Sequence, residues 1–146
     1  MSQKKILIPL GVSEKGLKSV HHGIALAKRL NARVYILQQI SPHHSTDPLE
    51  VYLKEALLDL INNARQEGLT LSHHIAGRNM KDEILNMVKE EGINLLVFEV
   101  DDDIARQLLF QIKPLVASQI IQVSEKGYVH SGRRGEKTGA IDIQHL

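Results

Sequence analysis

Five short apolar runs punctuate this chain at nearly even spacing: Ile6 to Leu10, Val34 to Ile40, Leu69 to Ile75, Leu95 to Val100 and Ile120 to Val123. Runs this short, bounded by polar and turn residues, read as strands. Between them the apolar positions recur every three or four residues, which is helical spacing. Strand alternating with helix is the mark of βαβ units, and right-handed crossovers wind such units into a parallel sheet covered by helices. The fold class expected is α/β, an open five-stranded parallel doubly wound sheet with helices on both faces. In sheets of this kind, ligands sit beyond the carboxyl ends of the strands, where the strand order switches direction.

The first helix is expected over about residues 14–30, with Leu17, Val20, Ile24, Ala27 and Leu30 on its inner stripe and Ser13 as N-cap. A second, over about 48–67, has Asp47 as cap and Pro48 in its first turn. It turns Leu49, Leu53, Ala56, Leu57, Leu60, Ile61 and Ala64 inward and ends at Gly68. The third, over about 79–91, buries Ile84, Leu85 and Val88 and stops at Gly92. A fourth starts near Asp103 and uses Ile104, Leu108, Ile112 and Leu115, with Pro114 ending or kinking it.

With 146 residues, 42% of them hydrophobic, the chain suits one core. That core is expected over residues 1–124, leaving 125–146 as a tail. The tail holds four glycines, the pair Arg133-Arg134 and few apolar residues. Tyr128 to His130 and Ala140 to Ile143 either form a hairpin, dock on an edge strand or stay disordered, because so little apolar surface hardly offsets the entropy of ordering. Eighteen basic residues face 17 acidic ones, so no field points to nucleic acid or an anionic membrane. The absence of cysteine excludes disulfides and thiol chemistry and fits a reducing compartment. No apolar run reaches the length of a membrane span or a signal peptide, so the protein is expected to be cytoplasmic.

Once the strands are placed, the segment Lys4-Lys5-Ile6-Leu7-Ile8-Pro9-Leu10, Ser13 and the helix end Ala27-Lys28-Arg29-Leu30-Asn31-Ala32 resemble the start of a universal stress protein. The strand Arg33-Val34-Tyr35-Ile36-Leu37, Gly77 with Lys81 to Leu85, and Glu91-Gly92-Ile93-Asn94-Leu95-Leu96-Val97 continue the likeness over about residues 4–124. The resemblance implies an adenine-nucleotide type of doubly wound sheet, commonly dimerised through its last strand. It also implies, for nucleotide-binding members, an acidic residue after the first strand. After the fourth strand those members carry Gly-x-x-Gly, nine residues, then Gly with Ser or Thr.

Both elements are missing. The acidic position corresponds to Gly11, and no glycine occurs from Ile93 through Lys126. Glu99 and Asp102 stand at the first two loop glycines and Arg106-Gln107 near the last pair. Glycine is needed in such loops because only a backbone free of Cβ turns through positive φ and brings its N–H groups onto phosphate. Glu99, Asp101, Asp102 and Asp103 instead put carboxylates where a triphosphate would lie, and two unit charges ~4 Å apart repel by about 4 kcal/mol at an effective dielectric near 20. A helix N-terminus offers an anion only about 1 kcal/mol in return.

Sharper chemistries are weaker on the same residues. Asp101 to Asp103 could supply oxygens to a divalent cation, but a helix start selects the same residues for capping, and no metal or other cofactor is expected. The pairs His21-His22 and His73-His74 each point two ways, and only His43-His44 falls in a loop near the cleft. Ser13 lacks the oriented base a nucleophile needs, so no catalytic residue is assigned. The expected function is that of a non-catalytic regulator or adaptor, homodimeric through Ile120, Ile121 and Val123, with Arg133 and Arg134 open to a protein partner. The ligand cleft is assigned to Leu10, Gly11, Val12, Ser13, Ile40, Glu99 and Asp102. The alternative is a sensor taking AMP, ATP or a nucleoside in another pose, its base against Leu10, Val12 and Ile40.

Overall fold

Each apolar run becomes a strand and each helical stretch a helix. The computed structural model describes residues 3–11, 17–40, 48–77 and 79–124, and the backbone of 127–130. The strands are β1 (Lys5–Leu10), β2 (Arg33–Gln39), β3 (Leu71–Ala76), β4 (Leu95–Glu99), β5 (Gln119–Ser124) and β6 (Gly127–His130). The helices are α1 (Lys18–Leu30), α2 (Pro48–Gln66), α3 (Met80–Glu91) and α4 (Asp103–Ile112), the last followed by a 3-10 turn over Lys113–Leu115. Strands β1 to β5 are parallel and β6 runs antiparallel along β5, in the order β3-β2-β1-β4-β5-β6.

Alternation along the strands divides the core into two layers. Ile6, Ile8 and Leu10 of β1 meet Val20, Ile24 and Ala27 of α1 and Leu57, Ile61 and Ala64 of α2 on one face. Leu7 points the other way and joins Leu96 and Phe98 with Met80 and Ile84 of α3 and Leu109 and Ile112 of α4. The central strand β1 is sealed on both sides, and Gly23 brings the backbone of α1 close against Ile8. One polar tie anchors the start of β1: the Lys5 amide donates to Asn94 Oδ1 (2.8 Å), and the Asn94 amide donates to Lys5 O (2.9 Å).

Helix ends follow local chemistry. Asn79 Oδ1 accepts from the Asp82 amide at the start of α3, and Gly92 ends that helix at φ 70°, a left-handed turn that favours glycine. At the end of α2, Arg65 donates from Nε and Nη2 to Leu71 O, while Glu67 just beyond pairs with Lys28 of α1.

Three expectations need correction. Helix α1 begins at Lys18, with Leu17 at the cap position and no side chain capping it, so Ser13, which lies outside the described residues, is not its N-cap. On α4, Ile112 is buried and Leu108 packs part-buried against the core as expected, and Leu109 joins them, but Ile104 is 66% exposed and Leu115 also lies outside. Leu30, the last residue of α1, and Leu49, in the first turn of α2, are exposed as well. Residues 127–130 pair with the edge strand β5 as β6, one of the alternatives left open for the tail; the remaining tail, with Arg133, Arg134 and Ala140 to Ile143, lies outside the described residues, as does Asp47.

Candidate functional site

The strand order turns at β1: β2 and β3 lie to one side of it and β4, β5 and β6 to the other. The crevice of a doubly wound sheet therefore opens beyond the carboxyl ends of β1 and β4, at Leu10-Gly11 and Glu99-Val100. Strand β1 delivers its last residues there because β2 holds it in register from Lys5 to Leu10.

Of the residues assigned to the cleft, five fall among those described. Gly11 lies just past β1 with nothing within 4 Å of where a Cβ would project, so a longer side chain has room there. Leu10 is buried in the α1–α2 layer, and its side chain belongs to the core and offers no face to a ligand. Ile40, just past β2, is exposed. Val12 and Ser13 lie outside the described residues.

Glu99 is the last residue of β4 and only 8% exposed, in register with Val123 of β5. The sequence set its carboxylate among those facing a triphosphate; at the end of the strand it is instead turned into the protein. Asp102 takes the N-cap of α4, where its Oδ1 accepts from the Ala105 amide at 2.7 Å. Arg106, one turn on, donates from Nη1 to Val100 O (2.7 Å) and from Nη2 to Asp103. The β4–α4 connection is thus closed on itself: a carboxylate occupies the start of the helix and a guanidinium ties the chain before it to the first turn. Ser19, in the first turn of α1, is a second buried polar group near this end and was not singled out from the sequence; its Oγ has no hydrogen-bond partner among the described residues.

The histidine pairs divide as their alternation requires. His73 Nε2 meets Gln38 Oε1 at 2.9 Å on the α2 side of the sheet, and His74 stacks on the Tyr35 ring on the other. Burial pushes His73 below the ordinary histidine value, helped by Arg65 and then His74; burial alone does the same to His22. Burial raises the Tyr35 phenol, reinforced by its hydrogen bond to Glu91. His43 and His44 lie outside the described residues. No group of three or more His, Asp or Glu suited to a metal lies among the described residues. None of their helices is long and apolar enough to cross a membrane.

Sheet order and crevice together define a doubly wound α/β domain of the kind that takes ligands at its switch point. The sequence profile of the universal stress protein family matches residues 3–110, and the chain belongs to that family. Among solved structures it is similar to the universal stress protein from Archaeoglobus fulgidus in complex with dAMP, at 17% identity and TM-score 0.57 over 84% of this chain and 98% of that one. A universal stress protein in complex with cAMP aligns at 16% identity and TM-score 0.57, over 82% of this chain and 95% of its own. A family member from Burkholderia pseudomallei gives 15% identity and TM-score 0.57, over 82% and 95%. No curated protein matches the sequence.

Proposed function

We propose that this chain is a non-catalytic regulatory or adaptor member of its family, working in the cytoplasm, that does not bind ATP in the pose its fold otherwise favours. The observation that carries this is the Asp102 carboxylate on the Ala105 amide. A helix N-terminus at a switch point is where a phosphate would be received, through free N–H groups and the helix dipole. Here an internal anion already holds that place, and Asp103, paired with Arg106, adds a second. A phosphate would have to displace the cap, at a cost of about 1 kcal/mol, and then lie beside the carboxylates it had displaced.

The second reading, a sensor for a nucleotide or nucleoside in another pose, is supported by the complexes of similar folds with dAMP and cAMP. With Leu10 in the core, a base would have Ile40 and the space around Gly11 to use. Thermal melts with ATP, AMP, dAMP, cAMP and adenosine separate the two. Ligand at about 100 times its Kd stabilises by ~2.7 kcal/mol, a rise of several degrees. The adaptor reading expects no rise with any of them and no excess absorbance near 260 nm in the purified protein. A rise with ATP refutes it; a rise with adenosine or a monophosphate alone selects the second reading.

A further inference from the structure

The two margins of the sheet are held differently. At one, β6 covers the outer side of β5, and Ile120, Ile121 and Val123, expected at a dimer edge, are buried in the two core layers. At the other, β3 has β2 on one side and no strand on its outer side among the described residues. In a parallel pair the N–H and C=O of one residue point to the same side. The Val34 amide bonds Thr70 O, and so residues 72, 74 and 76 face β2 while Leu71, His73 and Ile75 present their backbones outward. A side chain takes the first of these outward carbonyls: Arg65, at the end of α2, donates from Nε (3.1 Å) and Nη2 (2.9 Å) to Leu71 O.

His73 stands two residues along the same strand, and its side chain shares the α2 face with that of Leu71. Its Nε2 meets Gln38 Oε1 of β2 at 2.9 Å. An amide oxygen only accepts, so Nε2 is the ring nitrogen that donates, and the neutral ring already satisfies this bond. The charges around the ring have one sign. Lys54, Leu58 and Arg65 recur at helical spacing along one flank of α2, which the Arg65 bonds place over β3. The acids of α2, Glu50, Glu55 and Asp59, are exposed and off this stripe, and Glu67 just beyond is engaged with Lys28 of α1. On this face β2 contributes Val34, Ile36 and Gln38, none of them charged. His74, next along β3, lies on the other face against Tyr35. Burial, then Arg65 and His74, hold the His73 ring below the ordinary histidine value.

We propose that Arg65 and His73 form an acid-released latch on β3: when His73 takes up a proton the two cations part, and Arg65 leaves Leu71 O. Arg65 is the partner that moves, because it is exposed at the end of its helix while the ring is half-buried and tied to Gln38. Water receives the freed guanidinium, and it also reaches the carbonyl on the outer side of the strand. The latch is closed while His73 is neutral, above about pH 6.5, and opens as the pH falls through the lower folded value. Opening removes the side-chain tie between α2 and β3 across the Gly68 turn and leaves the outer backbone of β3 open from Leu71 to Ile75. Leu71 begins its strand, at the end of the sheet away from the crevice, so the latch does not depend on whether the chain binds a nucleotide.

Nuclear magnetic resonance of the full chain follows both partners in one sample. As the pH is lowered, the His73 ring and the Arg65 Nε–H should titrate together. The Nε–H should exchange with water about tenfold faster or more once the ring is charged, after correction for the pH itself. His73→Gln, neutral at every pH, should keep the Arg65 Nε–H protected throughout. Gln38→Glu gives the ring an acid to pair with and should raise the common midpoint by about one pH unit. Because the coupling is reciprocal, Arg65→Gln should also raise the His73 midpoint. A ring that titrates while the Arg65 Nε–H stays protected overturns the latch. So does an equal loss of protection in His73→Gln, or a His73 midpoint that Arg65→Gln leaves unmoved.

Discussion

Replacing Gly23 by alanine sets two effects of known size against each other. In the middle of α1 the change should help, since alanine is favoured over glycine in a helix by about 1 kcal/mol. The added Cβ, however, would overlap Ile8 Cδ1 and lie 3.0 Å from its Cγ1. Ile8 is fully buried in the central strand, and overpacking in a close-packed core costs about 1–3 kcal/mol. The clash should win by roughly 1 kcal/mol, lowering the melting temperature by about 3 °C in a chain of this size. Ile8→Val alone should cost ~1 kcal/mol, but it removes the atom that clashes. The double variant should thus be more stable than the sum of the singles by about 1 kcal/mol or more, as expected for residues in contact. Urea unfolding followed by circular dichroism measures all four corners of the cycle. A Gly23→Ala protein more stable than the parent, or single changes that simply add, would refute the close packing of α1 on β1.

Asp102→Ala should cost about 1 kcal/mol through loss of the cap on Ala105, whereas Asp102→Ser or Asp102→Asn keeps an acceptor and most of the stability; equal melts for all three would show that the cap contributes nothing. His22 and His73 both have folded-state values below the ordinary histidine value, so the unfolded chain takes up protons first as the pH falls. Their contribution to stability is present above about pH 6.5 and is lost progressively as the pH falls through the lower folded values. Urea midpoints between neutral and mildly acid pH should decline in the parent and decline less in His22→Gln, His73→Gln; identical declines would refute the assignment.

Much of the fold was legible because β1, β2 and β4 carry unbroken apolar runs buried on both faces, a pattern few other elements share. Gly92 likewise marked the end of α3 in the sequence, as a local capping signal does. Helix α4 resisted. Its apolar residues, Ile104, Leu108, Leu109, Phe110 and Ile112, run nearly all the way round, so spacing alone could not choose the face that Leu109 and Ile112 turn inward. Glu99 fell inside the expected strand, but its burial was not foreseen, because a carboxylate ordinarily reads as solvated. Strand β6 carries few apolar residues, and its place is set by backbone pairing to β5, which leaves no periodic trace. The Arg65 hold on Leu71 joins residues six apart across a turn and could not be read from pattern at all.

The anchoring of Lys5 by Asn94 also fixes an order of events during synthesis. The two residues are 89 positions apart, and β1 gains its β4 neighbour only through residues at Leu95 and beyond. A ribosome will have released β1, α1, β2, α2 and β3 well before the second half of the sheet arrives. Until then the most apolar strand of the protein is an open edge, and closing so distant a contact is slow compared with forming the helices. The nascent first half is therefore the stage at which this chain is most exposed to misassociation and has most to gain from a chaperone.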